Sequence, residues 1–341
     1  MPIFFSIIIP ARELNAYLHE ETLPAIESQT YRNLEVIIVA DNLHTFANEI
    51  KLYPFLKLIE SSEPPGVKRD LGAKNAGGQV LVFIDDDTAP MPDLLKNANV
   101  LFSRNNELVA AGGPGILPPK SNFWEKIFDT ILTSFMGSGG YTYRFKKEKE
   151  RYTDDYPSMN LFIKKDEFLS LSGFGNDYWP GEDSKLGEKL RKMLNKRILY
   201  HPDLASYHHR RTSPFSYLKQ HWKYGFMRGL FFAQGDKNSM RAEYLMPLLF
   251  LVYLFVYIEL LFAASALKQT DTTIYMNVPL LIYIIGTIIV ALKGLTRFYN
   301  PILFVVVLII LPLTHIIYGI GFAVGYTTHL LKRREQALEK K

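Results

Sequence analysis

The stretch KRDLGAKNAGGQVLVFIDDD, residues 68–87, decides the fold class of this sequence. It overlaps a helix-compatible segment, residues 67–76, and continues into the apolar run 80–84, which is followed by three consecutive aspartates. A short apolar run bounded by polar residues is typical of a strand buried on both faces. Similar runs, separated by polar or helix-compatible stretches, occupy residues 4–9, 35–39 and 55–59. This alternation predicts an α/β fold with a doubly wound, mostly parallel sheet.

Polar clusters follow three of the predicted strands. They are Pro10-Ala11-Arg12-Glu13, Asp41-Asn42 and Asp85-Asp86-Asp87. In an open parallel sheet the ligand lies outside the carboxyl ends of the strands, so we expect these clusters to converge on one crevice. The first turn has no Gly-rich dinucleotide fingerprint, which argues against an NAD or FAD enzyme. Further on, the pattern is less regular, and residues 141–156 predict a mobile loop.

The three consecutive aspartates predict a cation site. Residues two apart in an extended chain point to the same side, so Asp85 and Asp87 should face one spot while Asp86 points away. A divalent metal such as Mn²⁺ or Mg²⁺ would relieve their repulsion and neutralise a nucleotide diphosphate. The alternative is a solvated acidic turn at the start of the next helix.

The first 230 or so residues resemble the family-2 inverting glycosyltransferases of GT-A fold. The resemblance rests on SIIIPARELN, SQTYRNLEVIIVADN, KRDLGAKNAGGQVLVFIDDD, GEDSKLG and YHPDLASYHH, in the family's order. It implies that Asp41 contacts the base or ribose, and that Asp85 and Asp87 form the metal-binding Asp-x-Asp motif. The family's Arg-Asn pair appears as Arg69-Asp70, so only Arg69 is carried over as a nucleotide contact. The expected nucleotide-sugar contacts are Pro10, Ala11, Arg12, Glu13, Asp41, Arg69, Asp85 and Asp86.

The same resemblance assigns the catalytic carboxylate. Asp183 corresponds to the general base, with Glu182 beside it in a supporting role, although a helix N-cap is the common alternative for such a pair. The family often places a metal-binding His where His208 and His209 stand, and His208 matches better. For Lys68 and Arg69 the alternative is an exposed helix face. Arg210 and Arg211 suit either a diphosphate or lipid headgroups.

The last third of the sequence has the composition of a membrane region. Between residues 244 and 331 only five side chains are formally charged. About 20 apolar residues cross a bilayer core. The sequence predicts a catalytic domain over residues 1–213, an amphipathic interfacial segment over 214–243, a transmembrane region over 244–331 and a basic tail over 332–341. Within the transmembrane region the predicted spans lie near 244–267, 273–292 and 301–331. Three crossings are favoured over a re-entrant third segment. The glycines near His315 predict close helix packing.

Charge and cysteine content limit the location and the partners. The sequence starts without the basic region of a secretory signal, so we expect the catalytic domain to be cytoplasmic in a multi-pass cell-membrane protein. The absence of cysteine excludes disulfides and thiolate catalysis. Basic residues are concentrated between residues 207 and 242, which suits a positive-inside flank or anionic headgroups better than a nucleic acid.

The resemblance and the membrane region together predict a reaction. We expect metal-dependent inverting transfer of a sugar from UDP-sugar or another nucleotide-sugar to a membrane-bound, polyprenyl-diphosphate-linked glycan. Processive members carry Gln-x-x-Arg-Trp, and Gln220-His221-Trp222-Lys223-Tyr224 does not match, so non-processive transfer is favoured. The alternatives are a polyprenyl-phosphate sugar synthase and an inactive membrane scaffold.

Overall fold

The computed structural model describes residues 2–175, 178–267 and 271–339. The chain divides into two compact units, Met1–Pro119 with Tyr143–His209, and Lys120–Thr142 with Arg210–Lys341. The strands are β1 (Phe5–Pro10), β2 (Leu34–Ala40), β3 (Leu56–Glu60), β4 (Val80–Ile84), β5 (Thr88–Pro90), β6 (Ala110–Gly112), β7 (Gly115–Ile116), β8 (Arg151–Thr153), β9 (Asn160–Lys164), β10 (Ile198–Tyr200) and β11 (Ser206–His208).

The helices are α1 (Leu23–Glu27), α2 (Glu49–Leu52), α3 (Pro65–Lys74), α4 (Leu94–Arg104), α5 (Phe123–Leu132), α6 (Phe135–Ser138), α7 (Lys165–Ser170), α8 (Glu182–Met193), α9 (Pro214–Ala233), α10 (Ala242–Leu267), α11 (Asp271–Phe298) and α12 (Pro301–Glu339). A π-helical turn covers Leu18–Thr22, and 3₁₀ turns cover His44–Phe46, Gly139–Arg144 and Lys237–Met240.

The first unit is built on an eight-stranded sheet in the order β3-β2-β1-β4-β9-β6-β10-β8. Strands β3, β2, β1 and β4 are parallel neighbours, whereas β9 pairs antiparallel with both β4 and β6. Alternate residues of the central strands, such as Ile7, Ile38 and Val82, are fully buried in one core cluster. The predicted α/β fold with a mostly parallel sheet is therefore confirmed.

The sequence locates the parallel half of the sheet well and the other half poorly. The predicted bounds of β1 to β4 agree with the structure to within one residue. The loop predicted over residues 141–156 is wrong in part, because this stretch contains β8, which pairs antiparallel with β10. A three-residue strand is too short to leave a periodic signal in the sequence.

A small second sheet brings two distant stretches of the first unit together. Its order is β5-β11-β7, and β11 runs antiparallel to β5, with His208 opposite Thr88. Since Thr88 follows Asp87 directly, the last residue of β11 lies beside the acidic turn after β4. This pairing is what positions the candidate metal ligands.

The second unit combines the C-terminal helices with an insertion from the middle of the chain. Helix α5 packs its buried Ile127 and Phe128 into one apolar cluster with Leu303 and Val307 of α12. In the described residues, three helices are long and apolar enough to cross a membrane, over Ala242–Ser265, Tyr275–Phe298 and Pro301–Glu335. The predicted C-terminal membrane region is thus present as three long helices.

Helices α9 and α12 of this unit make backbone contact through glycines. A Cβ added to Gly225 or Gly229 of α9 would collide with the carbonyl oxygens of Tyr318 or Phe322. A Cβ on Gly325 of α12 would collide with the carbonyl of Phe226. The predicted close packing of the glycines near His315 is therefore observed, and the two glycines of α9 belong to the same contact.

Candidate functional site

The acidic turn after β4 and the end of β11 form a group of metal-type ligands in the first unit. Asp85, Asp87 and His208 each offer one ligand atom, and these atoms lie within 4.8 Å of one another. His208 Nε2 is 3.3 Å from Asp87 Oδ1. All three side chains are partly exposed, so a ligand from solution can reach them.

The donor set fits a divalent cation of the Mn²⁺ or Mg²⁺ type. Two carboxylates supply the hard oxygen donors that Mn²⁺ and Mg²⁺ prefer, and His208 adds one nitrogen donor. Without a cation, the facing carboxylates repel each other in a half-buried place. Asp85, Asp87 and His208 are the residues that could hold the ion.

Asp86 lies on the other side of the turn, as the alternation predicted. Its Oδ2 accepts a 2.8 Å hydrogen bond from Nδ2 of Asn15, which lies in the segment after β1. Burial, with the charges of Asp87 and Asp85, raises the pKa of Asp86 to about 7. Asn15 also caps the π-helical turn, because its Oδ1 accepts from the Leu18 amide at 2.9 Å.

The two adjacent histidines have different surroundings. His209 Nε2 lies 3.0 Å from Glu21 Oε2, and its ring packs against that of Tyr17 with centroids 4.1 Å apart and planes tilted by 31°. Because a carboxylate oxygen only accepts, the hydrogen of His209 is on Nε2. His208 is therefore the histidine that faces the aspartates. The segment after β1 therefore contacts a neighbour of the candidate ligands on each side: Asn15 contacts Asp86, and Glu21 contacts His209.

Arg69 connects the candidate metal ligands to the candidate catalytic carboxylates. Its guanidinium donates to Asp85 Oδ1 at 2.6 Å and to Glu182 Oε1 at 3.1 Å, and it lies over the ring of Phe174. Burial alone would lower the pKa of Arg69, but the charges of Asp85 and Glu182 outweigh it and raise that pKa. Arg69 is 4% exposed, so the alternative of an exposed helix face is wrong.

Lys68 has a partner that the sequence did not indicate. Its ammonium forms an ion pair with Asp41, the expected nucleoside contact, and donates to the Ala11 carbonyl at 2.6 Å. Lys68 is 4% exposed, so the exposed-face alternative is wrong for this residue as well. The Arg12 carbonyl accepts from the Asp41 amide at 2.9 Å, whereas the side chains of Arg12 and Glu13 are exposed. The polar residues after β1 and β2 are therefore linked directly.

The carboxylate pair Glu182 and Asp183 occupies the first turn of α8. The helix starts at Glu182 and follows Gly181, whose φ of 120° favours glycine. Glu182 is buried against Arg69, whereas Asp183 is partly exposed and accepts from the Ser184 amide at 2.7 Å. Both carboxylates therefore lie at the N-terminus of a helix, where the helix dipole interacts favourably with negative charge.

Asp70 replaces the family's Asn and has a definite place. Its two carboxylate oxygens accept from the amides of Phe174 and Gly175, at 2.8 and 2.9 Å. Burial raises the pKa of Asp70 in spite of these hydrogen bonds. Asp70 therefore anchors the segment that leads towards Glu182 and Asp183.

Arg210 lies in the second unit, where its guanidinium is already paired. It donates to Asp129 Oδ1 through Nε and Nη2, at 3.1 and 2.7 Å, and both side chains are buried. Arg297 donates to the other oxygen of Asp129 at 2.7 Å. Arg211 is exposed.

The site contacts that the sequence did not predict all join residues that are far apart in the chain. Lys68 reaches Asp41, Asn15 reaches Asp86, and Glu21 reaches His209. The sequence signals were indirect: Lys68 begins the quoted motif KRDLGAKNAGGQVLVFIDDD, Asn15 ends SIIIPARELN, and Glu21 lies six residues after Asn15.

Comparison with known proteins gives a consistent result. Residues 6–167 match the family model Glycosyl transferase family 2. The chain is 26% identical over 317 residues to the dolichyl N-acetyl-alpha-D-glucosaminyl phosphate 3-beta-D-2,3-diacetamido-2,3-dideoxy-beta-D-glucuronosyltransferase of Methanococcus voltae, covering 84% of this chain and 94% of that protein. It is 24% identical over 212 residues to the glucosyl-dolichyl phosphate glucuronosyltransferase of Haloferax volcanii, covering 57% of this chain and 66% of that protein.

A solved structure shares the fold. It is the mannosyltransferase PcManGT from Pyrobaculum calidifontis in complex with GDP-Man and Mn²⁺. The TM-score is 0.56 at 18% sequence identity, and the match covers 96% of this chain and 88% of that chain. At this identity the likeness concerns the fold alone.

Proposed function

We propose that this chain, which carries a glycosyltransferase family 2 domain and is a glycosyltransferase of GT-A fold, uses a nucleotide-sugar and a divalent metal. The transfer is inverting and non-processive. The acceptor is a sugar carried on a polyprenyl phosphate or diphosphate in the membrane. The observation that supports this proposal most is the group of Asp85, Asp87 and His208 within 4.8 Å, backed by Arg69.

The donor site follows from these contacts. When bound, Mn²⁺ or Mg²⁺ at Asp85, Asp87 and His208 neutralises the diphosphate and makes it a better leaving group. Arg69 pairs with Asp85 and holds its carboxylate in this position. Asp41, held by Lys68, receives the nucleoside. The bond that breaks joins the sugar carbon to the diphosphate oxygen.

Asp183 is the proposed general base. As the acceptor hydroxyl oxygen forms its bond to the sugar carbon, its proton passes to the Asp183 carboxylate, and the diphosphate leaves from the opposite face. Inversion needs one such base. Glu182 is committed to Arg69 and the Gly181 amide, so it supports the geometry and leaves the proton to Asp183.

The names of the relatives support a lipid-linked acceptor that already bears a sugar. One is named for dolichyl N-acetyl-alpha-D-glucosaminyl phosphate and the other for glucosyl-dolichyl phosphate. This favours a glycosylated polyprenyl phosphate over the bare lipid phosphate that a polyprenyl-phosphate sugar synthase would use. The three long apolar helices suit a multi-pass membrane protein whose catalytic unit faces the cytoplasm. An inactive scaffold is disfavoured because the complete carboxylate set is present.

A thermal-shift panel tests the donor half of the proposal. The detergent-solubilised full chain is heated with UDP-, GDP- and other nucleotide-sugars, each with Mn²⁺, Mg²⁺ or EDTA. A ligand at about 100 times its dissociation constant stabilises the folded state by roughly 2.7 kcal/mol. We expect one nucleotide-sugar to raise the melting temperature only when a divalent metal is present. An equal shift in EDTA would contradict the metal-dependent site.

A further inference from the structure

Helix α12 contacts, at several points along its length, elements that precede every candidate membrane span in the chain. In the described residues the candidate spans are α10, α11 and α12. Everything before α10, including α5, α6 and α9, is therefore on the side of the catalytic unit. Contacts of these three elements with α12 report on which side α12 lies.

The first part of α12 contacts α5. Leu303 and Val307 share an apolar cluster with Ile127 and Phe128 of α5. The end of α11 is fixed by the same helix, because Arg297 donates to Asp129 at 2.7 Å. The turn between α11 and α12 is thus on the catalytic side, and α10 and α11 form an outward and a return helix.

The middle of α12 contacts the chain just after α5. His315 Nε2 lies 2.9 Å from the Met136 carbonyl oxygen, and its Nδ1 lies 2.8 Å from the Tyr283 hydroxyl. Because the carbonyl only accepts, the His315 hydrogen is on Nε2. Met136 belongs to α6, on the catalytic side of every span.

The later part of α12 runs beside α9 in the same direction. Gly321 abuts the Trp222 carbonyl, and Gly325 abuts the Phe226 carbonyl. The residue numbers of the two helices increase in the same direction along the contact, so α9 and α12 are parallel. Had α12 crossed the bilayer from Pro301, residues beyond about 321 would be on the far side, since about 20 residues span the core. Residues 222–229 of α9 would then also lie near the far side, although α9 precedes every candidate span, and the chain leading to them would carry Lys219 through the hydrocarbon, which is costly.

We propose that α12 does not cross the membrane, and that its C-terminal half stays with α9 at the bilayer surface on the catalytic side. The chain then crosses twice, through α10 and α11. Pro312 allows α12 to change direction between its contacts with α5 and α9. The basic residues Lys332, Arg333 and Arg334 remain on the catalytic side, in agreement with the positive-inside rule.

The partner of the exposed face of α12 is the lipid surface. Its exposed large apolar side chains recur mostly at helical spacing: Ile302, Val305, Ile309, Leu313, Val324, Leu330 and Leu331. This stripe is about 44 Å long at 1.5 Å per residue, longer than a hydrocarbon core of about 30 Å. A straight crossing of the core would use only about two thirds of this stripe.

Cysteine labelling tests the inference, and the chain contains no native cysteine. Single variants Lys332→Cys, Lys237→Cys and Lys268→Cys are made in the full chain and expressed in bacterial inner membranes. Lys237 precedes α10 and reports the catalytic side. Lys268 lies outside the described residues, between α10 and α11 in the chain, and reports the far side. A membrane-impermeant maleimide is applied to spheroplasts and to inverted vesicles.

The expected result is that Lys332→Cys reacts in the same preparation as Lys237→Cys, and Lys268→Cys in the opposite one. Labelling of Lys332→Cys together with Lys268→Cys would overturn the proposal, and so would equal labelling from both sides. Lys237 and Lys332 are exposed, so folding should be unaffected, and melting curves check this for all three variants. The result does not depend on whether the proposed sugar transfer is correct.

Discussion

Replacing Asp183 by Asn should lower turnover by about 10²- to 10⁴-fold, the usual cost of losing a general base. The amide keeps the size of the side chain and can still accept from the Ser184 amide, the 2.7 Å contact that Asp183 makes at the start of α8. Stability should therefore change by no more than about 0.5 kcal/mol. Because the base acts in the transition state, the Michaelis constant for the donor should stay nearly constant.

Glu182→Gln should show the opposite balance. Glu182 is buried and accepts from Arg69 at 3.1 Å, so the neutral amide weakens a buried charge-assisted hydrogen bond. That costs about 1.5–3 kcal/mol. For a unit of roughly 200 residues this lowers Tm by about 3–12 °C. Turnover should fall less than in Asp183→Asn, because Arg69 keeps Asp85 as a partner.

The assay follows transfer of labelled sugar to an extracted lipid acceptor, beside a melting curve for each variant. Asp166→Asn is the matched control, because Asp166 is the second residue of α7 as Asp183 is of α8, and its side chain is exposed. The control should retain both turnover and Tm. Near-normal turnover in Asp183→Asn, or a collapse in Glu182→Gln alone, would refute the assignment of the base.

The remaining predictions concern metal affinity and helix packing. Asp87→Asn should weaken Mn²⁺ binding, measured by calorimetry, by more than about 100-fold, since loss of an outer partner alone typically costs 10–100-fold; unchanged affinity would exclude Asp87 as a ligand. Asn15→Leu should weaken Mn²⁺ binding roughly tenfold through Asp86, and loss of the cap should lower Tm by a few degrees. The exposed Glu20→Gln should bind Mn²⁺ normally, and equal affinities in the two variants would make Asn15 irrelevant to the site. Gly229→Leu should lower Tm, since overpacking costs about 1–3 kcal/mol, and an unchanged Tm would argue against the close α9–α12 contact.

Much of the parallel half of the fold was predictable because its signals are local. Strands buried on both faces appear as continuous apolar runs, and the run over residues 80–84 coincides with β4. The family resemblance and the GT-A fold are confirmed as well. By contrast, β9 lies between β4 and β6 as an antiparallel strand, which depends on pairing across long chain separations. Short segments do not encode such pairing.

The candidate site divides in the same way. Alternation along one stretch was enough to predict that Asp85 and Asp87 share a side, and the structure brings both to His208. Charge alone suggested an exposed surface for Arg69, whereas the structure buries it between two carboxylates from different parts of the chain. A charged residue is buried when it has partners, and those partners are visible only in three dimensions.

The central claim is that metal held at the acidic turn enables sugar transfer to a lipid-linked acceptor. The most direct measurement is transfer of labelled sugar to extracted polyprenyl-phosphate-linked glycan after chelation, followed by addition of Mn²⁺, for wild type and Asp87→Asn. We predict that chelation abolishes transfer by the wild type, that Mn²⁺ restores it, and that Asp87→Asn stays inactive although folded. Full transfer by the chelated wild type, or Mn²⁺-restored transfer by Asp87→Asn at the wild-type rate, would contradict the claim.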